Sequence, residues 1–89
     1  MTQGANAIGN EVYRHALRRL LRRARLAAGL KQAEVAVRLG VPQSFVSKYE
    51  SGQRKLDLIE LREVCMVLGT GLPALLAALD AEAAGERTE

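Results

Sequence analysis

Four glycines divide most of this sequence into short segments with helical periodicity. They stand at positions 29, 40, 52 and 69, and the apolar residues between them recur at spacings of three and four. Glycine commonly ends a helix because it accepts the left-handed backbone conformation that follows the last turn. No segment alternates apolar and polar residues as a half-buried strand does. The sequence therefore predicts an all-α domain, a compact bundle of five short helices.

The predicted helices cover, in chain order, residues 11–28, 32–39, 43–51, 57–68 and 73–79. Asn10 is a suitable cap for the first helix, and Asp57 with Glu60 has the spacing of a capping box at the start of the fourth. Pro42 suits the beginning of the third helix, where a missing N–H is no loss. Because the chain has only two Tyr and one Phe, the core is predicted to be aliphatic.

Charge is distributed unevenly along the chain. We expect residues 1–10 to form a flexible arm, residues 11–79 the helical domain, and residues 80–89 an acidic, frayed tail. Up to residue 79 the chain carries 12 Lys and Arg residues against six Asp and Glu, a net charge of +6, whereas residues 80–89 carry −3. A basic body favours a polyanionic partner such as nucleic acid.

The composition argues against several classes of protein. One cysteine, Cys65, and one histidine, His15, allow neither a disulfide framework nor a Cys/His zinc site, and no metal or cofactor is expected. The chain has no catalytic His/carboxylate pair and no phosphate-binding loop, so we expect no enzyme. The absence of a run of about 18 apolar residues argues against a membrane span, and the first ten residues do not resemble a signal peptide. A lone thiol suits a reducing cytoplasm, where we expect the protein to act.

The second and third predicted helices meet at a tight turn around Gly40. Gly40 is expected to take a positive φ angle, which costs a residue with a Cβ atom about 1 kcal/mol or more. Ala36 is small enough for the two helices to cross closely, as in a helix-turn-helix. In the third helix, Val46 and Tyr49 are expected to face inward, and the opposite face carries hydrogen-bonding groups and one cation. The residues of this polar face are Gln43, Ser44, Ser47 and Lys48.

With these residues the chain resembles the phage-repressor or xenobiotic-response-element family of helix-turn-helix domains, also called lambda-repressor-like. The resemblance extends over roughly residues 17–79 and depends on many residues in a fixed register. They include Leu21, Arg25, Ala28-Gly29-Leu30, Gln32, Val35-Ala36, Leu39-Gly40-Val41, Gln43-Ser44, Val46-Ser47-Lys48, Glu50, Gly52, Leu61 and Leu68-Gly69. Two residues depart from the family pattern. Lys31 replaces a Ser or Thr cap of the second helix, at a cost of about 0.5–2 kcal/mol, and Pro42 stands at the cap of the third.

The resemblance implies that the third helix enters the major groove of double-stranded DNA. The implied base-contacting residues are Gln43, Ser44, Ser47 and Lys48. The implied phosphate contacts are Gln32, Arg54 and Lys55. Gln32 is also expected to brace Gln43, and Arg25 and Glu50 are implied to form a structural ion pair between the first and third helices.

The resemblance also implies a dimeric transcriptional regulator, most simply a repressor at a palindromic operator, because one recognition helix reads only about four or five base pairs. The homodimer is expected to form through the fifth helix, whose leucines are too many for one core. These leucines are Leu72, Leu75, Leu76 and Leu79. Two alternatives stay open: an antitoxin that also binds a protein toxin, and the controller of a restriction–modification operon. The polar face of the third helix argues against a helical module with no DNA-binding function.

Overall fold

The computed structural model describes residues 11–87, which fold into five α-helices and contain no strand. The helices are α1 (Glu11–Ala27), α2 (Gln32–Leu39), α3 (Gln43–Ser51), α4 (Leu58–Leu68) and α5 (Leu72–Arg87). The prediction of an all-α bundle with five helices is therefore confirmed. The predicted flexible arm, residues 1–10, lies outside the described residues.

The turn between α2 and α3 depends on a glycine, as predicted. Gly40 ends α2 with a φ angle of 73°, in the left-handed region that residues with a Cβ atom avoid. The Gly40 N–H donates to the Val37 carbonyl at 3.1 Å, and the Val41 N–H donates to the Ala36 carbonyl at 3.0 Å. These two bonds satisfy carbonyl groups that the end of a helix leaves without partners. Backbone hydrogen bonds thus close the turn of the motif.

The core is mainly aliphatic and lies where α1 to α4 meet. Its largest fully buried side chains are Leu21, Val35, Val46, Val64 and Cys65. Ala36 is only 3% exposed, and α2 packs against both α3 and α4. Burial raises the pKa of the Cys65 thiol, so this group stays neutral and behaves as a small apolar side chain.

Two helices begin with a cap that uses a glutamate. At α4, Asp57 accepts from the Glu60 N–H at 2.8 Å and Glu60 accepts from the Asp57 N–H at 3.0 Å, which confirms the predicted capping box. At α2, Glu34 Oε1 accepts from the Lys31 N–H at 2.7 Å, but a lysine side chain has no acceptor to complete the box. Glu34 thus offsets part of the weakness predicted from Lys31.

The last helix differs from the prediction. α5 continues to Arg87, so residues 80–87 are helical and not the frayed tail expected after Leu79. This segment lacks the apolar period of an amphipathic helix, but it is rich in alanine, which has the highest helix propensity. Ala83 of α5 and Ala16 of α1 are both fully buried, and the two helices pack against each other. Packing against α1 therefore extends the ordered domain beyond its predicted end.

An acidic residue of α5 pairs with two of the six arginines of α1. These six arginines, called the arginine row below, are Arg14, Arg18, Arg19, Arg22, Arg23 and Arg25. Glu82 Oε2 accepts hydrogen bonds from Arg19 Nε and Arg23 Nη2, each at 3.2 Å. These bonds lower the pKa of the Glu82 carboxyl group. Two arginines of this row thus neutralise the carboxylate of Glu82.

Glu82→Gln should lower the unfolding temperature at pH 7, because it removes the charge that pairs with Arg19 and Arg23. The folded protein lowers the pKa of Glu82, so the ionised carboxylate stabilises the fold above the pKa of the unfolded chain, about 4.3. This stabilisation is lost as the pH falls through the folded pKa. In thermal unfolding followed by circular dichroism, the difference from wild type should therefore shrink as the pH falls below about 4.3 and disappear once the pH lies below the folded pKa of Glu82.

The control for this prediction is Asp80→Asn, which makes the same charge change at an exposed residue of the same helix. It should lower the unfolding temperature at pH 7 less than Glu82→Gln does. Equal effects of the two variants would show that net charge, and not the ion pair, sets the difference.

Candidate nucleic-acid interface

Helix α3 has a buried side and an exposed side. Val46 and Tyr49 are 0% and 3% exposed, which confirms that they face inward and attach the helix to the core. Gln43, Ser44 and Lys48 are exposed. Ser44 and Lys48 are four residues apart and share a helix face, and Gln43 is exposed beside Ser44 in the first turn of the helix.

Ser47, the fourth residue of the predicted polar face, is half-buried. Its hydroxyl group donates to the Ser44 carbonyl at 3.2 Å, within the same helix. The hydroxyl proton is therefore engaged, and the oxygen remains as a hydrogen-bond acceptor. Ser47 is thus more restricted in what it can bind than its three exposed neighbours.

A buried ion pair joins α3 to α1. Arg25 donates from Nε to Glu50 Oε2 at 2.6 Å and from Nη2 to Glu50 Oε1 at 3.0 Å, which makes the contact bidentate. The two side chains are only 9% and 5% exposed. Arg25 Nη1 also donates to the Leu30 carbonyl at 3.0 Å, in the turn between α1 and α2. The hydrogen bonds that Arg25 donates to Glu50 raise the pKa of Arg25, so the guanidinium stays charged at this buried position.

Gln32 extends this network to α2. Its Nε2 donates to Glu50 Oε1 at 3.0 Å, so it binds the carboxylate and not Gln43, the partner expected from the sequence. The preference has a physical reason, since a hydrogen bond to a buried carboxylate is stronger than one between two neutral amides. Because α2 begins at Gln32, the network ties together the first three helices. One N–H of the Gln32 amide remains for another acceptor.

Arg54 organises the basic loop that follows α3. Its Nη1 and Nη2 donate to the two carboxylate oxygens of Glu60, each at 3.0 Å. Nη1 also donates to the Lys55 carbonyl at 3.1 Å, and the guanidinium carbon lies 4.2 Å from the centre of the Phe45 ring. The hydrogen bonds raise the pKa of Arg54 and lower that of Glu60. The Lys55 side chain, by contrast, is exposed.

Sequence reasoning missed the second role of Glu60. The capping box already gives this glutamate a partner, the Asp57 N–H. In the folded loop Arg54 lies next to the first turn of α4, where its guanidinium reaches the Glu60 carboxylate. The one available signal was an arginine six residues before the capping glutamate.

Comparison with known proteins identifies this arrangement. A family model described as "Helix-turn-helix" matches residues 21–75. A solved structure, of an XRE-family like protein from Pseudomonas syringae pv. tomato str. DC3000, is 50% identical to this chain and has a TM-score of 0.78. The match covers 88% of this chain and 94% of that one. The chain belongs to the XRE family of helix-turn-helix proteins.

Membership of the XRE family defines the general function. Both helices of the motif, α2 and α3, lie within the matched range, together with the Arg25–Glu50 pair. The family consists of DNA-binding regulators and not of enzymes, so this protein is a DNA-binding transcription regulator. Among curated proteins, none matches the chain.

The leucines of α5 in this XRE-family protein lie in different environments. Leu75 is 4% exposed and belongs to the protomer's own core, whereas Leu76 is 46% exposed. Leu72 and Leu79 are half-buried. The predicted dimer surface is therefore divided, because Leu75 is not available to a partner. Helix α4 exposes three more large apolar side chains, Leu58, Ile59 and Met66.

Within residues 11–87, no three His, Cys, Asp or Glu side chains are placed to hold a metal ion. None of the described helices is by itself long and apolar enough to cross a membrane. Helices α4 and α5 meet that criterion only when they are joined across a bend of 101°.

Glu50→Gln should destabilise the XRE-family fold by about 3–5 kcal/mol, because it leaves the Arg25 guanidinium buried without a counter-charge. Urea unfolding followed by circular dichroism measures this loss. The double variant Arg25→Met, Glu50→Leu should recover a large part of it, since no buried charge remains. A double variant less stable than Glu50→Gln would contradict this explanation.

Proposed function

We propose that this XRE-family protein is a transcriptional repressor that acts in the cytoplasm, as a homodimer, at a palindromic operator. The observation that carries the proposal is the exposed polar face of α3. Val46 and Tyr49 anchor that helix in the core, and the buried Arg25–Glu50 pair ties it to α1. A polar helix face in a defined position suits the reading of base edges in the major groove. Repression follows because a dimer bound at a promoter obstructs RNA polymerase.

Four side chains of α3 would contact base edges. Gln43 binds adenine N6 and N7 through its amide, a bidentate contact that discriminates by about 1–3 kcal/mol. Lys48, one turn after Ser44, donates to guanine O6 or N7. Ser44 forms a single hydrogen bond and tolerates several bases. Ser47 contributes only an acceptor, because its proton is bonded within the helix.

Three further side chains would hold the DNA backbone. Lys55 is exposed and reaches a phosphate directly. Arg54 retains donors at Nε and Nη2 while it is paired with Glu60, and Gln32 retains one amide N–H beside Glu50. These contacts set the register of the protein on the duplex and carry no sequence information.

The dimer follows from the size of the recognition surface. One helix reads only about four or five base pairs, so useful specificity in a genome requires two helices about 34 Å apart. We place the contact on α5, centred on the exposed Leu76 and flanked by the half-buried Leu72 and Leu79. Leu75 is left out because it packs inside its own protomer.

A second candidate function is supported by the apolar side chains of α4. Leu58, Ile59 and Met66 are 64%, 66% and 60% exposed and lie outside the proposed α5 contact. Exposed apolar side chains that recur on one helix favour a protein partner. An antitoxin that binds both operator DNA and a protein toxin has such a surface.

Selection from a random pool of duplex DNA at about 0.15 M salt should enrich a palindrome with half-site centres about ten base pairs apart. On that operator, Gln43→Ala should relax base preference at one position in each half-site by about 1–3 kcal/mol, because it removes the amide. Lys55→Ala should instead weaken binding to all sequences alike and reduce the salt slope by about one. Fluorescence anisotropy with operator and scrambled duplexes measures both effects.

Arg62→Ala is the matched control for these variants, since it removes an exposed cation from α4, which lies outside the proposed interface. It should leave affinity and base preference close to those of wild type. Salt-sensitive binding that enriches no sequence would contradict a sequence-specific regulator.

Leu76→Asp should convert the dimer to a monomer in sedimentation equilibrium at about 50 µM protein, because it places an unpaired charge in an apolar contact. Ile59→Asp introduces the same charge at an exposed apolar residue of α4 and should remain dimeric. Dissociation by Ile59→Asp alone would place the dimer contact on α4 instead. A wild-type protein that is monomeric both free and on DNA would contradict the dimer.

A further inference from the structure

A pocket of about 160 Å³ lies between α1 and the loop that follows α3. Leu17 and Leu21 of α1 and Leu56 of the loop provide its apolar surface. Four cationic residues also line it: Arg14, Arg18, Arg54 and Lys55. Glu11 is the one carboxylate among the lining residues, and Arg54 is already paired with Glu60, so Arg18 and Lys55 supply the positive charge that an anion in the pocket would meet.

Arg18 lies against the turn that follows α3, at the wall of this pocket. Its guanidinium lies over Gly52, where a Cβ atom would come within 2.9 Å of the Arg18 Cζ. Gly52 has a φ angle of 88°, so the backbone conformation favours glycine here. Arg18 Nη2 donates to His15 Nδ1 at 2.8 Å, and among the side chains that the structure describes no carboxylate forms an ion pair with Arg18. The guanidinium therefore keeps several donors for a ligand.

Tyr49 supplies an unused polar group in the wall of the same pocket. Its hydroxyl oxygen is shielded from solvent and has no hydrogen-bond partner among the described residues. Burial raises the pKa of Tyr49 to about 12, so the hydroxyl keeps its proton and remains a donor. A buried donor without a partner costs about 1–3 kcal/mol, and because this oxygen is shielded from the pocket as well as from solvent, an acceptor reaches it only when the Tyr49 side chain shifts.

The geometry points to a binding site for a small organic carboxylate with an apolar ring or chain. A cavity of roughly 150 Å³ holds a benzene-sized molecule, which sets the size of the apolar part. The guanidinium of Arg18 matches a carboxylate through two parallel hydrogen bonds. The leucine side chains bury the rest of the ligand, and the other cations balance its charge.

Occupation of the pocket affects DNA binding, a consequence that rests on the proposed function. Arg54 and Lys55 line the pocket and are also the proposed phosphate contacts of the loop. A carboxylate beside them competes with the DNA backbone for the same cations. The ligand therefore acts as an inducer, releasing the repressor from its operator.

Sodium benzoate is the first probe, titrated into the whole protein without DNA and followed by calorimetry and amide NMR shifts. We expect saturable binding with one site per chain and shifts concentrated at Leu21, Tyr49 and Leu56. Arg18→Gln should weaken binding by at least about tenfold, since it removes a charge-assisted bidentate contact. Arg22→Gln, the same change on the same helix but outside the pocket, should change affinity less than about twofold.

Three results would overturn the site. They are absence of saturable binding, shifts centred away from the pocket, and equal losses in Arg18→Gln and Arg22→Gln when both variants unfold at the wild-type temperature. Inorganic phosphate and acetate test the role of the apolar surface, and either one binding as tightly as benzoate would reject an amphipathic ligand.

Operator release is measured separately, by anisotropy of the selected duplex with and without benzoate. A fall in operator affinity in wild type, but not in Arg18→Gln, supports the inducer role. Benzoate binding without any change in operator affinity overturns that role. If no operator is found at all, the repressor proposal fails while the calorimetric result for the pocket still stands, so the two failures are distinguishable.

Discussion

The bidentate contact between Arg25 and Glu50 is the interaction on which the position of α3 depends. Removing two charges from water costs several kcal/mol per ion, so such a pair is tolerated only where its hydrogen-bonding groups are satisfied. Here the Leu30 carbonyl and the Gln32 amide complete the set. A small shift of any of the first three helices would leave a buried charge without a partner. The ion pair thus defines one arrangement of the helix-turn-helix, although its net contribution to stability can be close to zero.

The carboxylate of Glu60 fixes the position of the loop between α3 and α4 in a similar way. Glu60 caps α4 and also holds both ends of the Arg54 guanidinium, which stacks on Phe45 of α3. The start of α4 therefore determines the shape of the segment that presents Lys55. The recognition helix and the adjoining basic loop are each positioned by one glutamate, which limits the motion that DNA would otherwise have to restrict on binding.

Helix α5 contributes one side to the core and exposes an apolar side chain on the other. Its alanines allow close packing on α1, and Leu75 extends the core that supports the motif. The opposite side exposes Leu76, so the same helix can contact a second molecule without losing its place in the protomer. Glu82 accepts hydrogen bonds from Arg19 and Arg23. Part of the positive charge of α1 is therefore paired within the protein.

Much of this architecture was predictable from the sequence because it is determined locally. Glycine at a left-handed position ends a helix whatever surrounds it, and Asp57 with Glu60 caps α4 through residues only three apart. The same holds for the polar face of α3, since helical spacing alone separates Gln43 and Lys48 from Val46. The family resemblance placed Arg25 beside Glu50, a contact that spacing by itself does not reveal.

Other features were decided only by the tertiary structure, because they depend on residues far apart in the chain. Helix α5 continues past Leu79 because Ala83 is buried where this helix packs against α1. The sequence after Leu79 has no apolar period from which this contact could be predicted. Gln32 binds Glu50 because the ion pair brings a strong acceptor within its reach. The four leucines of α5 differ in burial because they point in different directions from the helix axis. One is buried, two are half-buried and one is exposed. The sequence by itself determined which segments are helices and which faces are polar, since these follow from local backbone preferences and spacing. The tertiary structure decided the partner of each charged side chain, since that requires distances between elements.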